Sequence, residues 1–217
     1  MQPSILTVEV TANGSALRTR GLRSLGLREI RVAKPDAELD QAAVVMLQTL
    51  GEYVLSHEKP IRPDDKVSHG YWVLMLRNSP DGDLEVFEST ADGSDYVEGA
   101  NLALRYWVEQ SNVCRQAGAE FSPPRPDQKV ATSVGVVEGE LPVWGVRYTA
   151  PPHMSGWYLT TQGYSGEIKD LRVDHLYHVT SRRPDIVPFL ALPAGFRFEV
   201  TNQGSRAFLD EQALRDS

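Results

Sequence analysis

The 217 residues are 41% apolar and 24% charged, a balance that lets a chain of this length bury about 70% of its unfolded surface with no metal or disulfide staple. Twenty-two basic against 29 acidic side chains leave a formal charge of −7, which repels phosphate backbones and anionic lipid and disfavours a general nucleic-acid or membrane binder. A single cysteine, Cys114, rules out an internal disulfide, and the CxxC and CxxH spacings of zinc sites do not occur. Met1-Gln2-Pro3-Ser4 has neither the basic region nor the apolar run of a signal peptide, and no apolar stretch approaches a membrane span, so a cytosolic protein is expected.

Alternation from Ile5 to Val10 predicts a half-buried strand ended by Asn13-Gly14. A second strand is predicted over 27–33, and the intervening Arg18, Arg20, Arg23 and Arg28 form a basic patch expected to lie in a solvated loop. Leu39, Ala43, Met46, Leu50 and Val54 recur at steps of three and four, which predicts a helix over 36–56. Lys59-Pro60 and Arg62-Pro63 block its continuation. Tyr71–Leu76 and Leu84–Phe87, around Ser79-Pro80-Asp81-Gly82-Asp83, read as a hairpin. Val97, Ala100, Leu104, Trp107, Val108 and Cys114 share a face of a helix predicted over 95–117 and ended by Gly118. This order predicts an α+β fold, its N-terminal sheet mostly antiparallel and covered by two helices.

Three prolines within Ser122–Pro126 mark residues 122–127 as a linker between an N-terminal domain, 1–121, and a smaller β-rich C-terminal domain, 128–217. Strands are expected over 130–137, 143–149, 156–161 and 197–201, followed by a polar tail at 202–217. No internal repeat appears.

Chemistry-bearing patterns are sparse. His175-x-x-His178 is the one close histidine pair, but Leu176, Tyr177 and Val179 give it a strand-like setting in which the rings would point to opposite sides. Gly163-Tyr164-Ser165-Gly166 has the wrong spacing for a nucleophile elbow, and Gly21 and Gly26 lack the Lys-Ser/Thr of a phosphate loop. Asp81-x-Asp83 and Asp92-x-x-Asp95 read as turns rather than calcium loops. Cys114 and the tryptophans Trp72, Trp107, Trp144 and Trp157 read as core residues. No catalytic, cofactor or metal site is therefore expected. Two alternatives stay open: a small hydrolase using His69, His175 or His178 as base, and a regulatory or scaffold module that binds through Arg18–Arg28.

Ser155-Gly156-Trp157, Asp174 before His175–Val179, Pro184–Leu190 (PDIVPFL) and Pro193–Glu199 (PAGFRFE) stand in an order that resembles a bacterial immunity-protein family of polymorphic toxin systems. In those segments Pro184 can open a short helix, Ile186, Phe189 and Leu190 give it an apolar face, and Gly195 permits a turn into a strand where Phe196 and Phe198 share one side. The resemblance implies a cytosolic, non-enzymatic protein, as in type VI secretion effector pairs. It would neutralise a cognate toxin by occluding its active site or substrate groove, with no cofactor, nucleic acid or membrane involved. Relatives carry an acidic loop after the Ser-Gly-Trp strand, whereas Thr160–Glu167 is nearly uncharged here. Loop position marks Tyr164, Glu167 and Asp170, with Asp92 and Asp95 in the first domain, as candidate toxin contacts, and the negative charge favours a basic partner.

Overall fold

Strand β1 (Thr7–Val10) turns at Asn13-Gly14 into β2 (Ala16–Arg20), and β3 (Ile30–Ala33) pairs with β2. In this computed structural model the described residues are 6–56 and 61–215; Met1–Ser4, Ile5, Lys59 and Pro60, which the leader, first-strand and helix-stop readings used, lie outside them. After a 3-10 turn at Ala37–Leu39, helix α1 (Asp40–Ser56) lays Ala43, Met46, Leu47 and Leu50 against β1, β2 and β3. β4 (Lys66–His69), β5 (Trp72–Asn78), β6 (Leu84–Ser89) and β7 (Tyr96–Glu98) follow, the β5–β6 hairpin forming around the predicted turn. The strand order is β1-β2-β3-β6-β5-β4, with β7 also on β6; every pair is antiparallel except β3–β6. Helix α2 (Asn101–Gln116) starts where Glu88 of β6 accepts hydrogen bonds from the backbone N–H of Leu102 (3.1 Å) and Ala103 (2.7 Å). A carboxylate there meets donors that have no partner inside the helix and faces the positive end of its dipole.

The chain divides into two compact units, Met1–Trp107 and Val108–Ser217. It passes from one to the other within α2, and the proline-rich segment 122–127 lies in the second unit. Ser122 donates to Ala191 O (2.8 Å), Tyr177 to Pro126 O (3.1 Å), and Pro124 and Pro126 are buried.

The second unit is β-rich. It contains β8 (Lys129–Thr132), β9 (Val143–Arg147), β10 (Met154–Thr161), β11 (Arg172–His175), helix α3 (Leu176–Thr180), a 3-10 helix at Pro184–Phe189, β12 (Phe196–Thr201), β13 (Gly204–Leu209) and helix α4 (Glu211–Arg215). The sheet order is β11-β8-β10-β9-β12-β13, with β8 and β10 parallel and the other pairs antiparallel. Its core gathers Trp157, Leu159, Phe198, Ile186, Val187 and Leu190, with Phe189 stacked on Phe198 at 4.9 Å. Gly156 has φ +80° at the bulge where β10 shifts register, and a Cβ there would lie 2.2 Å from Tyr148 O, which explains the glycine of the Ser-Gly-Trp segment.

Arg147 ties this unit together. Its Nη1 lies 2.5 Å from Ser122 O, 2.6 Å from Leu192 O and 3.3 Å from Leu190 O, while Nε donates to Ser155 O at 3.0 Å. The guanidinium lies 5.8 Å from the Trp157 ring, whose Nε1 donates to the same Leu190 O (3.0 Å). Burial lowers the arginine pKa to about 10, so it stays charged at neutral pH.

Several expectations are corrected. The Arg18–Arg28 segment is only in part a solvated loop: Arg23–Leu25 form an exposed 3-10 turn, but Arg18 and Arg20 lie in β2, and Arg18 and Arg23 both pair with the buried Asp83 at 2.9 and 2.6 Å. Arg28 donates to Gly82 O, Asp83 O and Asn78 Oδ1. Arg18 and Arg23 thus neutralise a buried carboxylate, and the exposed Arg20 pairs with Glu9 (2.9 Å), so the cations that the scaffold alternative would use are engaged within the first unit. Residues 96–98 are strand β7, so α2 begins at Asn101 rather than 95. The strand expected over 130–137 ends at Thr132, where turns begin. His175–Val179 is a strand only to His175; Leu176 and Val179 are buried from a helical turn. Of the tail expected over 202–217, the described residues 202–215 are structured, since β13 pairs with β12 through a register from Phe196–Leu209 to Thr201–Gly204 and α4 follows.

Replacing Arg147 with Met should strand several buried carbonyls and lower unfolding stability by about 3 kcal/mol or more. Urea unfolding of the full chain checks this, and Arg147→Lys should recover only part of the loss because one ammonium cannot span the same acceptors.

Candidate functional site

Strand directions decide which loops meet. β8 and β10 run parallel, so both end on one side; β9, antiparallel to β10, begins there, and β11 begins opposite the end of β8. The segments 133–142 and 162–171 therefore emerge together. Thr161 joins them: its N–H donates to Ser133 Oγ (3.1 Å) and its hydroxyl to Val134 O (2.8 Å).

Tyr164, Glu167 and Asp170 come together in the second of these segments. Tyr164 is half-buried and its N–H donates to Thr161 O (3.1 Å); Glu167 and Asp170 are exposed. Ser165 Oγ donates to Asp170 Oδ2 (2.5 Å) and accepts from Glu167 N–H (3.1 Å), and a 3-10 turn at Ile168–Asp170 closes the loop. In the first segment, Glu138 accepts from Gly135 N–H (2.9 Å), and the Glu140 carboxylate folds back over the same glycine. Sequence reasoning missed Val134, Glu138, Glu140 and Leu141, whose place beside the glycine-rich loop follows from the parallel pairing of β8 with β10.

Asp92 and Asp95 lie in the first unit, in the turn between β6 and β7. Asp92 Oδ1 accepts from Thr90 Oγ1 (2.7 Å), Ser94 Oγ (2.8 Å) and Ser94 N–H (3.1 Å), bonds that hold its pKa down to about 2. Asp95 accepts from Tyr96 N–H (2.7 Å). Both carboxylates shape their own turn.

Of the histidines of the hydrolase alternative, His69 lies in the first unit and His175 and His178 in the second. His175 and His178 have ring centroids 6.0 Å apart, on one side of the α3 turn rather than on opposite faces of a strand. Among the described residues no three His, Cys, Asp or Glu side chains gather as metal ligands, and no helix is long and apolar enough to cross a membrane. Cys114 is buried, and burial raises its thiol pKa against the pull of Arg147. His69 is 6% exposed, 5.8 Å from the Trp107 ring, with no hydrogen-bond partner for Nε2 among the described residues.

The loops that meet at Thr161, the Arg147 cluster and the sheet that carries them all fall within one stretch recognised by a family model. Residues 109–211 match the Imm33-like domain. This Imm33-like stretch, just under half of the chain, nearly coincides with the second compact unit and indicates an immunity-protein-like family for it. No curated protein and no solved structure matches the chain.

Burial holds the pKa of His69 from its ordinary 6.5 down to about 4. An unfolded histidine takes up its proton as the pH falls through 6.5 while the folded one resists, so the neutral ring's contribution is complete above pH 6.5 and is lost towards pH 4. Between pH 7.5 and 5 this should cost the first unit about 2 kcal/mol. Urea unfolding of wild type and His69→Phe at the two pH values should show that much less pH dependence in the variant.

Proposed function

We propose that the chain is a cytosolic immunity protein that binds and neutralises a cognate toxin or effector domain by covering its active site or substrate groove, with no catalysis of its own. The coincidence of the Imm33-like match, residues 109–211, with the compact second unit carries this reading. The order of Ser155-Gly156-Trp157, Pro184–Leu190 and Pro193–Glu199 supports it, because their side chains build a core around Trp157 and Phe198 and surround no reaction centre. A protein that acts by fit needs a stable frame and presented loops, and β8–β10 supply both. Tyr164, Glu167 and Asp170 are the contact residues this reading favours.

Expression of the adjacent reading frame should arrest bacterial growth, and co-expression of this chain should restore it with the two proteins recovered as one complex. A frame whose product is harmless, or rescue without a complex, would contradict the proposal. His69→Ala, His175→Ala and His178→Ala should each retain protection, against the hydrolase alternative.

A further inference from the structure

Ile168 is 82% exposed at the tip of an ordered turn. An isoleucine there adds nothing to the core, yet the loop that presents it is closed by the Ser165–Asp170 hydrogen bond and by Leu171 N–H to Ile168 O (3.0 Å). From the adjoining segment at the same end of the sheet, Val134 (56% exposed) and Leu141 (38%) add further apolar surface. These are the large apolar side chains that the loops 133–142 and 162–171 leave in solvent. Around them stand the exposed carboxylates of Glu138, Glu140, Glu167 and Asp170, against the cations Lys169 and Arg172. None of these six charges is in an ion pair among the described residues, so a net negative field points outward from this end. At β12 and β13 of the same sheet, by contrast, Glu199 pairs with Arg206 (2.6 Å), and Arg197 pairs with Asp210.

We infer that this loop end is the toxin-binding face, with Ile168 as its apolar anchor, and that the partner presents an apolar socket rimmed by lysine or arginine. The inference rests on the immunity reading above and specifies its surface. Apolar anchors inside a polar rim concentrate binding energy, and unpaired carboxylates steer a basic partner to them. Because the loop is already closed by its own hydrogen bonds, little ordering is left to oppose binding.

The test measures binding of the full-length chain to the purified product of the adjacent reading frame. Ile168→Asp should weaken the complex about ten- to a hundredfold, the effect of losing one buried aliphatic side chain, while its urea midpoint stays that of wild type because Ile168 touches no core. The double variant Glu138→Lys, Glu167→Lys should slow association at low salt and flatten its salt dependence. Asp127→Lys, before the start of β8 at the other end of the sheet, should bind as wild type does. A wild-type complex whose affinity ignores both Ile168→Asp and the charge reversal overturns the assignment of this face and leaves the immunity reading standing. Failure of the wild-type chain to form any complex overturns both.

Discussion

A single guanidinium joins three stretches of the second unit that are far apart in sequence. Arg147, on β9, reaches Ser122 at the start of the proline-rich segment, Ser155 on β10, and the Leu190–Leu192 turn that follows the 3-10 helix. Its acceptors are backbone carbonyls, so the bonds depend on chain path rather than on the identity of the partner side chains. A planar, permanently charged fork suits that task, since it can donate in several directions at once and loses less freedom in doing so than a flexible ammonium. With the turn held, Leu190 and Phe189 close over Trp157 and Phe198, and the strands that carry the loops at Thr161 are fixed. The first unit solves a related problem differently, with Arg18 and Arg23 converging on the buried Asp83.

The apolar core and the presented loops thus have separate duties. Strands β8 and β10 supply the parallel pair whose ends bring two distant segments together, and Thr161 joins those segments by side-chain and backbone hydrogen bonds. The glycine-rich loop needs no packing partner to keep its shape, because Ser165 serves at once as donor to Asp170 and acceptor from Glu167. A surface made this way can hold an exposed isoleucine without destabilising the unit beneath it. Such a surface suits the proposed role, in which the stretch that matches the Imm33-like domain would act through its shape.

What the sequence revealed depended on range. Helix α1 and the β5–β6 hairpin were legible because periodicity and turn residues act over a few positions. Strands β2 and β13 were not: Ala16–Arg20 and Gly204–Leu209 are short and polar, and they are strands because neighbours pair with them. His175–Val179 misled because Leu176 and Val179 satisfy a helical spacing of three within a segment too short to show its period. Arg147 gave no signal at all, its acceptors lying 25 and 45 residues away and on the main chain. At the candidate site, Tyr164, Glu167 and Asp170 could be picked out from glycines and loop position, whereas Val134 and Leu141 became neighbours only through nonlocal pairing.

The proposed role requires this chain to present the loops at the end of its second sheet to another protein. Amide hydrogen exchange of the full chain, alone and with the product of the adjacent reading frame, addresses it without altering a residue. Slowed exchange confined to 133–141 and 162–171, with the 90–95 turn unaffected, is the result this account predicts. Protection that falls on the Arg18–Arg28 segment or elsewhere, while those two loops exchange as in the free chain, would contradict it.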